Sequence, residues 1–120
     1  MPFKALLKEL VSSVEGATGA IFLDSDGEAV QWYSDDDGER LQLRAAYITV
    51  VLQGCRKSAE RLMLGGTCYL VLEYESASFI VQQLDGGYCV MLELDSSANV
   101  GQAIYRTQPV VAHLRREISA

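Results

Sequence analysis

The residues of this 120-residue chain with the chemistry to act as catalysts or ligands are one histidine, three cysteines and a few acidic clusters. His113 lies between Ala112 and Leu114 in a helical pattern. No serine or cysteine stands near it in a recognisable triad motif, so it reads as a surface histidine. Cys55, Cys68 and Cys89 have no CxxC spacing, and an odd number cannot close a disulfide framework, so they read as reduced thiols in the core. Cys68 and Cys89 could approach each other across a sheet, but two thiols without a further histidine or cysteine make a poor zinc site. Asp24-x-Asp26-Gly27 has the look of a calcium-loop opening, yet its glycine falls too early and Asp35 stands where a bidentate glutamate is required. Gly65-Gly66 precedes a strand pattern rather than Lys and a helix, which excludes a phosphate loop. Asp35-Asp36-Asp37 fall in a loop expected to be flexible, which would hold no fixed acid–base geometry. These residues imply no enzyme site, no metal and no cofactor.

The elements that carry them are legible from periodicity. Phe3, Leu6, Leu7, Leu10, Val11 and Val14 recur at helical spacing over residues 3–14, and Gly16 ends that helix. Apolar runs at 18–24 and 28–34 read as strands, joined by Asp24-Ser25-Asp26-Gly27, where Gly27 can take the positive φ of a hairpin turn. Strands are predicted at 67–75, 76–85 and 88–95, with turns near Glu75-Ser76-Ala77 and at Asp85-Gly86-Gly87. A last helix opens at Ser96 to Asn99 and buries Val100, Ala103, Ile104, Thr107, Val111, Leu114 and Ile118. Pro109 falls inside it, which predicts a kink or break near Tyr105 to Gln108. The order α-β-β-α-β-β-β-α, with hairpins joining the strands, implies an α+β domain over residues 1–120, built on an antiparallel sheet with helices on its faces.

Residues 41–63 dominate this plan. One apolar row runs Leu41, Ala45, Ile48, Leu52, Cys55, Ala59, Leu62, as a helix packed on a core requires. A second row, Leu43, Ala46, Tyr47, Val50 and Val51 with Gly54 beside it, lies roughly opposite. Gln42, Thr49, Gln53, Arg56 and Glu60 gather in a narrow polar stripe. A helix apolar on two sides must be covered on two sides, and so short a chain has few elements for both. Gly54 would permit close approach of a second copy, with antiparallel pairing about a two-fold axis the simplest closed solution.

Composition narrows the partner classes. The net charge of −6 argues against nucleic acid, whose binding needs concentrated Lys and Arg. No apolar run approaches membrane-spanning length, so no membrane insertion is expected. MPFKALLKEL spreads its lysines through an amphipathic pattern unlike a signal peptide, which predicts a cytoplasmic protein.

Element order and three local motifs together resemble the roadblock family, the dynein light-chain type domain also found in bacterial Mgl gliding regulators. The motifs are Gly16-Ala17-Thr18-Gly19-Ala20-Ile21, Asp24-Ser25-Asp26-Gly27-Glu28, and Tyr88-Cys89-Val90-Met91-Leu92 through Ala98-Asn99-Val100-Gly101. The third helix makes the chain look like the prokaryotic form. The resemblance implies a profilin-like, five-stranded sheet in the order 2-1-5-4-3 and a homodimer joined through the third strand and antiparallel second helices. It also implies a Ras-like small GTPase docking on the second-helix side. At matching positions the dimer interface would draw on Leu43, Tyr47, Val50, Val51, Gly54, Tyr69 and Val71. GTPase contact would fall to exposed positions nearby, Gln42, Thr49, Gln53 and Arg56. Family regulators act by reshaping switch loops rather than by inserting an arginine, so Arg40, Arg44 and Arg56 are not nominated as a finger. A dimeric scaffold without a GTPase, and a small-ligand sensor using the sheet face, are the alternatives.

Overall fold

The computed structural model describes residues 2–119. Its elements are α1 (Phe3–Ser13), β1 (Ala17–Leu23), β2 (Ala29–Ser34), α2 (Glu39–Arg61), β3 (Tyr69–Glu73), β4 (Ala77–Gln83), a short 3-10 turn (Asp85–Gly87), β5 (Cys89–Asp95) and α3 (Val100–Ser119). All strand pairs are antiparallel and the sheet order is β2-β1-β5-β4-β3, the order implied by the family resemblance. The two groups of strands are joined by the β1–β5 pairing, which sets Ile21 opposite Met91 and Ala20 opposite Leu92.

Period-two alternation divides the sheet into two apolar faces. Ala20, Phe22, Ile80, Val90, Leu92 and Leu94 point to one side, where α1 and α3 cover them with Leu6, Leu7, Leu10, Ala103, Val111 and Leu114. Ile21, Leu23, Phe79, Val81, Cys89 and Met91 point to the other, where α2 alone covers them with Leu41, Ala45, Ile48 and Leu52. The division of labour is unequal: two helices seal one face and one helix the other. Along α2 the predicted buried row holds through Leu52, but Cys55 and Ala59 are half-buried and Leu62 is exposed, because the helix runs out past its cover.

Several expectations need correction. α3 continues without a break through Pro109. Both Pro109 and Tyr105 are exposed, so the carbonyl that loses its donor can be hydrated, and the helix is not forced open. The thiols are not all in the core: Cys89 is buried, Cys55 is half-buried and Cys68 is exposed. Burial pushes the Cys89 thiol up to about 11, against the opposing charge of Arg56, and keeps it neutral. Gln83 lies between Cys68 and Cys89, since its N–H bonds to the Cys68 carbonyl while it pairs with Cys89 on its other side. Among the described residues no group of three or more metal-ligating side chains is assembled.

The acidic loop before α2 is also ordered rather than loose. Asp36 accepts from the Ser34 hydroxyl at 2.8 Å and the Gly38 N–H at 2.9 Å, and it pairs with Arg40 at 2.9 Å. Asp37 accepts from the Glu39 N–H at 3.1 Å. At the other end of the sheet Asp95 accepts from the Ser97 N–H and hydroxyl, which tightens the turn into α3. The backbone N–H of Gly38 and the hydroxyl of Ser34 hold the Asp36 carboxyl below its ordinary 3.8, and Ser97 does the same for Asp95.

Both carboxylates therefore favour the folded state above their unfolded value, and that contribution is lost as pH falls through the lowered folded values. Thermal melts from pH 6 to pH 2 should show stability falling below about pH 4. An Asp36→Asn, Asp95→Asn variant should fall less steeply across the same range, and equal slopes for the two proteins would refute this account.

Candidate functional site

Above the sheet, the outward side of α2 has no cover of its own. Leu43, Tyr47, Val50 and Val51 are exposed there, Tyr47 and Val50 to 71% and 70%. Their spacing places them on one stripe with Gly54, where an added Cβ would meet nothing within 4 Å. The second apolar row read from the sequence is thus present, and among the described residues no element packs on it. A run of large exposed apolar side chains on one helix face marks an interaction surface more often than chance exposure does.

The stripe does not end at the helix. Beside Leu43 and Tyr47 opens a groove of about 400 Å³, walled by Ile48, Tyr74, Ala77 and Phe79. Tyr74 meets Phe79 edge-on with ring centroids 6.2 Å apart, so the β3–β4 turn supplies an aromatic wall. Arg44 borders the groove. Its guanidinium lies 6.0 Å from the Phe79 ring centroid and pairs with Glu93 at 2.9 Å. Glu93 is only 3% exposed and takes a second hydrogen bond from the Thr18 hydroxyl at 2.7 Å. A charged link buried under α2 therefore fastens this helix to the two central strands, β1 and β5.

The other predicted residues are placed differently from one another. Val71 packs toward the α1 and α3 side, and alternation sends Tyr69 the same way, so neither side chain shares the α2 face. Leu70 and Leu72 point to the α2 side, and Tyr74 follows them in parity. β3 is nevertheless the free edge of the sheet, so its backbone can still pair with another strand. Tyr74 and Phe79 were missed by sequence reading, although the alternation along β3 held the signal for Tyr74.

The four positions on the polar stripe are half-buried rather than exposed. Gln42 donates to the Gly38 carbonyl at 3.3 Å and Thr49 to the Ala45 carbonyl at 2.8 Å. Thr49 also lies under the β1–β2 turn, where its Cγ2 fills the space a Cβ on Gly27 would need, and Gly27 takes φ +83°. Arg56 donates to the Gln83 side chain at 2.8 Å and to the Gly87 carbonyl at 3.5 Å. This flank is tied to the sheet, whereas the apolar flank is not.

The fold is shared with solved proteins. The roadblock/LC7 domain from Streptomyces avermitilis superposes with a TM-score of 0.86, over 98% of each chain at 21% identity. The chain has the roadblock fold. MglB of Myxococcus xanthus is similar with a TM-score of 0.87 over 99% of this chain and 96% of that one, at 11% identity. MglC of Myxococcus xanthus gives 0.69 over 98% and 99%, at 25% identity. No family model and no curated sequence matches the chain. The roadblock fold is therefore kept at very low identity.

Proposed function

We infer that the chain works as one roadblock-like domain that pairs with a second copy and serves as a non-enzymatic binding module for a Ras-like small GTPase. The observation that carries this reading is the uncovered apolar stripe of Leu43, Tyr47, Val50 and Val51 on α2, continuous with Tyr74. The dimer would draw on these residues with Gly54 and the β3 edge, and Tyr69 and Val71 would then flank the paired edge from the opposite face. Gln42, Thr49, Gln53 and Arg56 remain the candidates for GTPase contact. They border the stripe, and Gln42, Thr49 and Arg56 are held in place by Gly38, Ala45 and Gln83, so a partner would meet a largely fixed polar flank. Solvent-facing apolar surface of this kind suits a protein partner better than a small ligand, because both sheet faces are already filled by helices. Among the described residues no helix is long and apolar enough to cross a membrane.

The test mixes the purified protein with a Ras-like GTPase encoded beside its gene, loaded in turn with GDP and a GTP analogue. Complex formation on gel filtration, or a changed rate of GTP hydrolysis, is expected. Neither effect in either nucleotide state would remove the GTPase reading, and co-purification of only non-GTPase proteins would favour a dimeric scaffold.

A further inference from the structure

The end of α2 is unusual in its chemistry. The helix stops in a Schellman arrangement: the Met63 N–H bonds to the Glu60 carbonyl at 3.2 Å and the Leu64 N–H to the Ala59 carbonyl at 2.9 Å. Such stops place glycine at the left-handed position, yet here Met63 occupies it with φ 54°. The result is a fixed turn that presents Leu62, Met63 and Leu64 to solvent, Met63 to 90%. Three consecutive large apolar side chains on one rigid turn form a knob that no element among the described residues receives.

We propose that the knob at Leu62–Leu64 seats in the groove bordered by Leu43, Tyr47, Tyr74 and Phe79 on a second copy of this chain, reciprocally across a two-fold axis. The proposal rests on the dimer reading above and adds its register. α2 spans roughly 34 Å. An antiparallel copy whose axis passes through the Val50 to Gly54 turn lays the last turn of one helix over the first two turns of the other, where the groove opens. β3 gives the same result by a separate route. It is a free edge, and antiparallel pairing with its copy about Val71, its central residue, sets the start of one β3 beside Tyr74 of the other. The turn that precedes β3 then arrives at the groove.

Charge agrees with this occupant. Lys57 and Arg61 flank the knob, both exposed and without an ion-pair partner among the described residues. Glu75 follows Tyr74 in the turn, also exposed and unpaired, and Arg44, which lines the groove, is already paired with Glu93. Reciprocal docking brings this basic pair toward Glu75 twice per dimer.

The experiment uses the full chain carrying Met63→Cys and Tyr74→Cys, with Cys55→Ser and Cys68→Ser to silence the accessible native thiols. Within one chain Met63 stands about 24 Å along α2 from Tyr47, which lines the groove with Tyr74, so an internal disulfide cannot form. Mild oxidation is expected to give a covalent dimer on non-reducing gels, while either single cysteine variant gives little. Met63→Asp, at a fully exposed site, should leave the fold intact and weaken the dimer at least about tenfold in sedimentation. A dimer by sedimentation that does not cross-link, or that Met63→Asp leaves unchanged, overturns the knob-and-groove register and spares the dimer reading. A monomer at high concentration overturns both and leaves the groove to a different protein.

Discussion

Arg44→Met is expected to lower the free energy of unfolding by about 3 kcal/mol, the lower end of the range for breaking a buried ion pair. The lower end applies because Arg44 retains 36% side-chain exposure, while Glu93 retains 4%. Removing the arginine leaves a carboxylate enclosed between α2 and the sheet with only the Thr18 hydroxyl to satisfy it. The methionine keeps the apolar stem that packs near Phe79, so the loss reports charge rather than volume. A double variant adding Glu93→Gln removes the stranded charge and should recover a large part of the deficit, since the uncompensated ion, more than the missing attraction, is the costly state. Urea unfolding of the parent, Arg44→Met, Glu93→Gln and the double variant at one fixed concentration checks this, because pairing would make stability depend on concentration. If Arg44→Met costs under about 1 kcal/mol, the pair behaves as a surface salt bridge and does not anchor α2.

This anchor was not legible in the sequence. Arg44 and Glu93 lie 49 positions apart, and a lone glutamate in the apolar run of β5 reads as a solvent-facing residue until α2 is laid over it. Local features fared better, because they depend on chemistry within a few residues. The Asp24 to Gly27 turn, the helical row of α1 and the Leu41 to Leu52 face of α2 were all set by spacing alone. The acidic loop shows the limit of composition: three consecutive aspartates look like a solvated tether, yet Ser34 and Gly38 on either side turn Asp36 into the hub of a closed hydrogen-bonded turn. Likewise Pro109 is a helix breaker by propensity, but Val110, Val111 and Leu114 on the buried side hold α3 in register while the proline faces water.

The candidate surface was half legible, for a related reason. Helical spacing was enough to separate Leu43, Tyr47, Val50 and Val51 from the core row, and the structure leaves that face bare. Choosing the partner strand residues required knowing which side of the sheet α2 covers. The period of two divides β3 into two sets without saying which set meets the helix. Phe79 in β4 settles it, since it packs under α2 and opposes Leu72, which carries Leu70 and Tyr74 to the same side.

Val50→Glu should convert the protein to a soluble, folded monomer. Val50 is exposed in the single chain and touches no core cluster, so the glutamate is hydrated there and the fold loses little. In a dimer paired through α2 it would be buried near the two-fold axis, and symmetry brings in two such charges at once. One buried, unpaired charge costs about 3–5 kcal/mol, so even a single copy weakens association by roughly two to four orders of magnitude. Val30→Glu on β2 is the control: it adds the same charge to an equally apolar exposed site at the far edge of the sheet and should leave assembly unchanged. Sedimentation across a hundredfold concentration range, with circular dichroism to confirm folding, separates the outcomes. A Val50→Glu protein that sediments as the parent does would place any self-association away from α2. Equal loss of assembly in both variants would point to net charge, already −6 in the parent chain, rather than to a buried contact at this face.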